Sequence, residues 1–195
     1  MWHTMPMKRS FLNGVAVALL LSLALSAQSR PPARPATDVT AAEIEGVLKY
    51  VGKEGGGIDR QIRVVDVGGT TVGVGILRRG ATKPGTAVPG LSHTQVTEVY
   101  YVVSGSGTLV TGGTISDARP SPPEGDVVKI LVGPTLGGTI AGGERRPVSA
   151  GDVVIIPAGT PHGFSEIKDQ VTYLSVRVDP DRVLPVNYLH PALRK

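Results

Sequence analysis

A chain of 195 residues with 41% hydrophobic content is long enough for one packed domain and too short for two of ordinary size. Its 26 glycines and 16 prolines, against 4% aromatics, count against a helical bundle and favour short strands joined by many turns. The net charge of +4 owes half its excess to Lys8 and Arg9 near the N-terminus, which gives no support to nucleic-acid binding, and the lack of cysteine removes disulfides and thiolate metal ligands.

Residues 1–27 have the layout of a signal peptide. Lys8 and Arg9 precede an apolar run from Phe11 to Leu25, interrupted only by Asn13, Gly14 and Ser22, and the small residues Ser26 and Ala27 follow. The run is shorter than the roughly 20 apolar residues a bilayer span requires, so the expectation is a cleaved leader, export to periplasm or medium, and no stable membrane anchor afterwards. Cleavage after Ser26 and after Ala27 both remain open. Residues 28–39 read as a proline-rich linker. Thr40 and Glu43 have capping-box spacing, and Ile44, Val47, Leu48 and Val51 share a helical face. That predicts a helix from about 41 to 50 that plugs or flanks the main domain, followed by a turn at GKEGGG, the two occupying residues 40–59.

From residue 60 to 178 the pattern is strand-like: QIRVVDV, TVGVGILR, TEVYYVVS, GTLVTGG, VVKILV, GDVVIIP and VTYLSVRV, separated by glycine and proline turns. This predicts an all-β barrel. Residues 114–147, with Pro120, Pro122, Pro123 and several glycine pairs, predict an enlarged hairpin or lid, or else a disordered insertion. A tail occupies 179–195, where His190 beside Pro191 is expected at the surface.

Two segments carry chemistry. Gly151 to His162, GDVVIIPAGTPH, sets one histidine at a fixed offset from a Pro-x-Gly turn. Upstream, Gly85, Leu91, His93, Glu98 and Gly105 form a second spaced set. Residues two apart on a strand point the same way, so Leu91 and His93 share a face, whereas Glu98 has the opposite parity and needs a turn or bulge before it to reach the same interior. His93, Glu98 and His162 together have the composition of a two-His, one-carboxylate metal site with open positions.

These segments resemble the two signature motifs of the cupin superfamily, G-x5-H-x-H-x3,4-E-x6-G and G-x5-P-x-G-x2-H. The second is matched but for its trailing Asn, where Glu166 stands. In the first, either Leu91 occupies the first histidine place, or His93 does and Gln95 becomes a possible fourth ligand. The resemblance implies a single double-stranded β-helix (jelly-roll) barrel and a divalent cofactor, Fe, Mn, Ni or Zn, at His93, Glu98 and His162. It also implies a small-molecule ligand and a possible homodimer. Among the chemistries of the superfamily, which include dioxygenases and isomerases, an Fe(II)-dependent dioxygenase ranks first; the alternative is a non-catalytic module binding a sugar or organic acid. Tyr100, on the Glu98 face, could bond a ligand or the carboxylate. Arg63, Arg78 and Arg177, in predicted strands, could hold an acidic substrate by paired hydrogen bonds if they point inward.

Overall fold

The capping box forms as the sequence suggests. Thr40 N donates to Glu43 Oε2 at 2.9 Å and Glu43 N donates back to Thr40 Oγ1 at 3.2 Å, starting helix α1, Ala41–Val51. The computed structural model describes Met1 and residues 35–51, 58–83 and 85–194. The expected leader, most of the linker and the glycine turn at 52–57 lie outside the described residues. The chain divides into units Met1–Pro32 and Ala33–Lys195, and the fold below is that of the second.

Ten strands follow: β1 (Ile58–Asp66), β2 (Thr71–Gly80), β3 (Pro89–His93), β4 (Thr97–Thr111), β5 (Thr114–Pro120), β6 (Thr135–Ala141), β7 (Glu144–Ser149), β8 (Val153–Ile156), β9 (His162–Glu166) and β10 (Gln170–Asp179). All pair antiparallel. In one sheet β2 lies between β1 and β10, and β10 pairs with the first half of β4, whose other edge carries β8. In the other, β5, β6, β3 and β9 follow in order and β9 pairs with the second half of β4, whose other edge carries β7.

The 15-residue β4 therefore belongs to both sheets, and its inward parity must change where it crosses. Glu98, Tyr100 and Val102 are buried before the crossing and Leu109 after it. Gly105 makes the change with φ of +76°, and a Cβ there would lie 2.0 Å from Gln170 O, so the position admits only glycine without backbone movement. The sheets then face one another across one apolar cluster. Leu77, Val102, Ile156 and Tyr173 come from the first sheet, Leu109 and Phe164 from the second. The predicted all-β barrel is thus found as a double-stranded β-helix.

α1 flanks the barrel and does not plug it. Val47, with Ile44 and Leu48, packs on Ile58, Ile62 and Ile76 of β1 and β2. A register shift between Gln61 and Arg63 lets Gln61 and Ile62 both be buried, Gln61 bonding Arg177 while Ile62 joins the helix cluster.

Two expectations change, those for VVKILV and His190, while of the alternatives for residues 114–147 the enlarged hairpin is the one found. VVKILV is not a strand: Val127–Leu131 form a single π-helical turn, with Val132 N donating to Val127 O at 2.9 Å. A short apolar run has no period that separates strand from turn, and no sheet edge reaches this one. The 114–147 segment is an ordered β5–β6 hairpin, enlarged by that turn, with β7 after it. His190 is buried, because the tail runs back along β1: Val64 N donates to Tyr188 O and His190 N to Ile62 O. Its Nδ1 accepts from Ala192 N, capping the turn Pro191–Leu193.

Candidate metal centre

Three chain segments meet at the site, and each is fixed by backbone bonds. β3 ends at His93, and the bend at Thr94–Gln95 resets the parity so that Glu98, opening β4, points to the same interior. The Pro-x-Gly turn after β8 is fastened to that junction. Gly159, at φ +80°, donates to His93 O at 2.7 Å, and Ala158 N donates to Thr97 Oγ1 at 3.2 Å. This tie brings His162, at the start of β9, against Leu91 of β3.

The three side chains are all buried. Glu98 Oε2 stands 3.3 Å from His93 Nε2 and 3.2 Å from His162 Nε2, with the two rings edge to face at 4.9 Å between centroids. The second ring nitrogens settle the tautomers. His162 Nδ1 is 2.9 Å from the carbonyl oxygen of Thr160, which can only accept, so Nδ1 carries the proton. His93 Nδ1 is 2.9 Å from Thr135 Oγ1, whose own proton goes to Gly133 O at 2.9 Å, so this Nδ1 also donates. In the neutral ring each Nε2 lone pair therefore faces a carboxylate oxygen, and only a ring that also carries a proton on Nε2 donates to Glu98 instead. Three electron-pair donors this close repel one another unless a cation lies among them.

The carboxylate is held for that role. Glu98 Oε1 accepts from Ser175 Oγ at 2.7 Å and from Arg177 Nε at 3.4 Å, while Tyr100 Oη donates to Oε2 at 3.0 Å. Burial alone would raise the Glu98 pKa, but hydrogen bonds donated by the His162 and His93 rings when Nε2 carries a proton, with the Arg177 charge beside them, outweigh it and hold the group well below the usual carboxylate range. Burial, then Glu98, pushes Tyr100 well above the ordinary phenol value, so it stays a donor. His93 is lowered chiefly by burial, which favours the neutral ring a metal needs. Two imidazoles and a carboxylate without thiolate fit a divalent ion with positions left open, and the bonds to Thr135, Thr160 and Ser175 supply the outer support such ligands require.

Thr135→Val should keep the volume and remove the acceptor that orients His93. The expected result is metal affinity about 10- to 100-fold weaker by chelator competition, with an unchanged circular dichroism spectrum.

A cavity of about 700 Å³ opens beside the three ligands. Its walls are largely apolar, with Leu77, Leu91, Leu109, Phe164 and Ile167 lining it. Leu91 therefore stands beside His93 as a wall residue where the motif allows another histidine.

The sequence-level candidates fare differently. His93, Glu98 and His162 come together, and Tyr100 bonds the carboxylate. Gln95 lies half-buried in the bend and does not line the cavity. Arg63 turns the other way, its Nη2 2.6 Å from Glu43 Oε1 of α1. Arg78 donates to Thr172 Oγ1 at 3.2 Å and is likewise absent from the cavity wall. Arg177 points inward but is fully buried, with Nη2 2.6 Å from Asp59 Oδ1 and Nη1 bonded to Gln61 Oε1, so it positions Glu98 and has no fork left for a substrate.

Residues that sequence reasoning missed are Thr135, Ser175, Asp59, Gln61 and Arg79. One signal was legible: Gly73 and Gly75 alternate on β2, and a Cβ on either would lie 2.1 Å from Gln61 Nε2 or 2.9 Å from Arg177 Nη1. Those glycines make the room the buried arginine occupies.

No family model and no curated protein matches the chain. Among solved structures it is similar to a protein from Bacillus halodurans at 16% identity, with TM-score 0.42, covering 80% of this chain and 89% of that one. A cupin protein from Bacteroides fragilis matches at 19% identity and TM-score 0.34, over 64% and 76% of the two chains. A protein from Acidithiobacillus ferrooxidans matches at 17% identity and TM-score 0.32, over 55% of this chain and only 49% of that one. At such identities the fold is read from the chain's own strand pairing.

Proposed function

We propose that this double-stranded β-helix is an exported metal-binding cupin that holds a divalent ion at His93, Glu98 and His162 and acts there on a small organic substrate. Fe(II)-dependent dioxygenation is the reaction ranked first. The observation that carries this reading is the convergence of two Nε2 atoms, each within 3.3 Å of the same Glu98 oxygen, at the wall of a substrate-sized, largely apolar cavity. An ion bound there supplies Lewis acidity and, as Fe(II), redox chemistry with oxygen.

The protein's part is to bind, orient and keep dry. Thr135 and Thr160 aim the imidazoles, Ser175 and Arg177 hold one carboxylate oxygen, and Tyr100 donates to the other. The remaining ionisable groups lining the cavity are Asp59, Arg79, Tyr100 and Tyr173. Asp59 is engaged by Arg177, and burial, foremost, raises both tyrosines above their ordinary value. Neither tyrosine gives up its proton near neutral pH and Asp59 is committed to Arg177, which favours ion-centred chemistry over acid–base chemistry by side chains.

The test is oxygen uptake by Fe(II)-loaded protein across phenolic and diketone substrates, beside Glu98→Ala. Consumption that depends on substrate and is lost in the variant is expected. Fully loaded protein that turns over nothing on a broad panel leaves the second reading, a non-catalytic module for a small ligand, which the same shortage of proton-transferring groups also favours.

A further inference from the structure

We propose that Arg79 is an anion anchor that makes the cavity selective for organic acids, their carboxylate seated on the guanidinium and their apolar body reaching toward the His93–Glu98–His162 end. This rests on the reading of the cavity as the ligand site.

Arg79 stands near the end of β2, opposite Val171 of β10, and is the one Lys or Arg among the described residues lining the cavity. It is half-buried, and no carboxylate pairs with it within 4.0 Å among the described residues. The carboxylate whose field it feels, Asp59, is bonded to Arg177. Tyr173, on the same cavity wall, is a neutral group that acts on it without satisfying its charge. Tyr173 packs against Tyr100 with ring centroids 4.4 Å apart and planes tilted by 44°, and the Tyr100 hydroxyl reaches Glu98. One wall therefore runs from the three metal ligands through two tyrosines to a cation.

The charges favour an anion. Asp59 and Arg177 neutralise each other and Glu98 cancels one charge of a bound divalent ion, so that ion and Arg79 together leave the cavity cationic. A desolvated, forked guanidinium matches a carboxylate in two parallel bonds, and the Leu77, Leu109, Phe164 and Ile167 walls suit an aliphatic or aromatic body. Neighbouring Arg78, one residue away, bonds Thr172 off the cavity wall, so strand parity alone selects which arginine serves.

The test is calorimetric titration of the folded, metal-loaded protein and its chelator-stripped form with benzoate, phenylpyruvate and hexanoate, each beside its neutral amide. Arg79→Gln and Arg79→Lys follow, with metal content measured throughout. Wild type should bind the acids at least about 10-fold more tightly than the amides, Arg79→Gln should erase that preference, and Arg79→Lys should keep part of it, all with metal content unchanged. Equal affinity for acid and amide in wild type, a preference that survives Arg79→Gln, or no binding of any acid overturns the proposal. The wild-type comparison stands even if a variant misfolds. Failure of the metal reading is separate: it appears as absence of bound ion, whatever the acid preference.

Discussion

His93→Ala and His162→Ala should each reduce bound metal from near one ion per chain to background, by elemental analysis of protein purified without chelator or affinity-tag metal. Among the described residues the site has three donors and no fourth stands ready: Leu91 is apolar and Gln95 lies off the cavity wall. Removing an outer hydrogen-bond partner of a metal ligand costs about 10- to 100-fold in affinity, so losing a ligand itself must cost more. The carboxylate left behind does not compensate, because its Oε1 is already committed to Ser175 and Arg177. Wild-type protein that is metal-free as purified and also fails to take up added Fe(II), Mn(II), Ni(II) or Zn(II) would sink the metal reading. Circular dichroism on both variants separates loss of the ion from loss of the fold.

The parts of the fold legible in the sequence were those with strong local rules. The capping box at Thr40 and Glu43, the glycine needed at 105 and the Pro-x-Gly turn before His162 each follow from a local geometry that few residues satisfy. β7 and β9 were not delimited as strands, β3 was read only through the face Leu91 shares with His93, and β5 and β6 only as arms of an enlarged hairpin, because these are short, polar or glycine-rich runs held by neighbours distant in sequence. The metal ligands were legible from spacing, yet their supports were not. Thr135 lies 42 residues from His93 and Ser175 lies 77 from Glu98, so only the paired strands bring them into reach. Arg79 shows the limit most directly. Two adjacent arginines end TVGVGILRR, and nothing local says which one faces inward.

Arg177→Met should lower stability by about 3–5 kcal/mol, the usual cost of removing one partner of a buried ion pair, seen as a fall in melting temperature of roughly 10 °C or more. Arg177 is fully buried and ties Glu98 to Asp59 and Gln61, so its loss leaves Glu98 buried with one fewer counter-charge and Gln61 short of a donor. Methionine also leaves the space beside Gly75 underfilled. The effect should depend on pH in a fixed direction. In wild type the folded-state pKa of Glu98 is depressed, so its contribution to stability is fully present above the ordinary carboxylate value of 4.5 and is lost as pH falls below it. Arg177 supplies part of that depression; without it the folded pKa of Glu98 rises and the contribution shrinks. The gap between wild type and variant should therefore be widest at neutral pH and narrow in acid, once pH falls through the raised folded-state pKa of Glu98 in the variant. Thermal melts of chelator-treated protein in a pH series from 7 down through the acid range keep metal binding out of the comparison. A gap that stays constant or widens in acid would mean that Arg177 acts by packing alone.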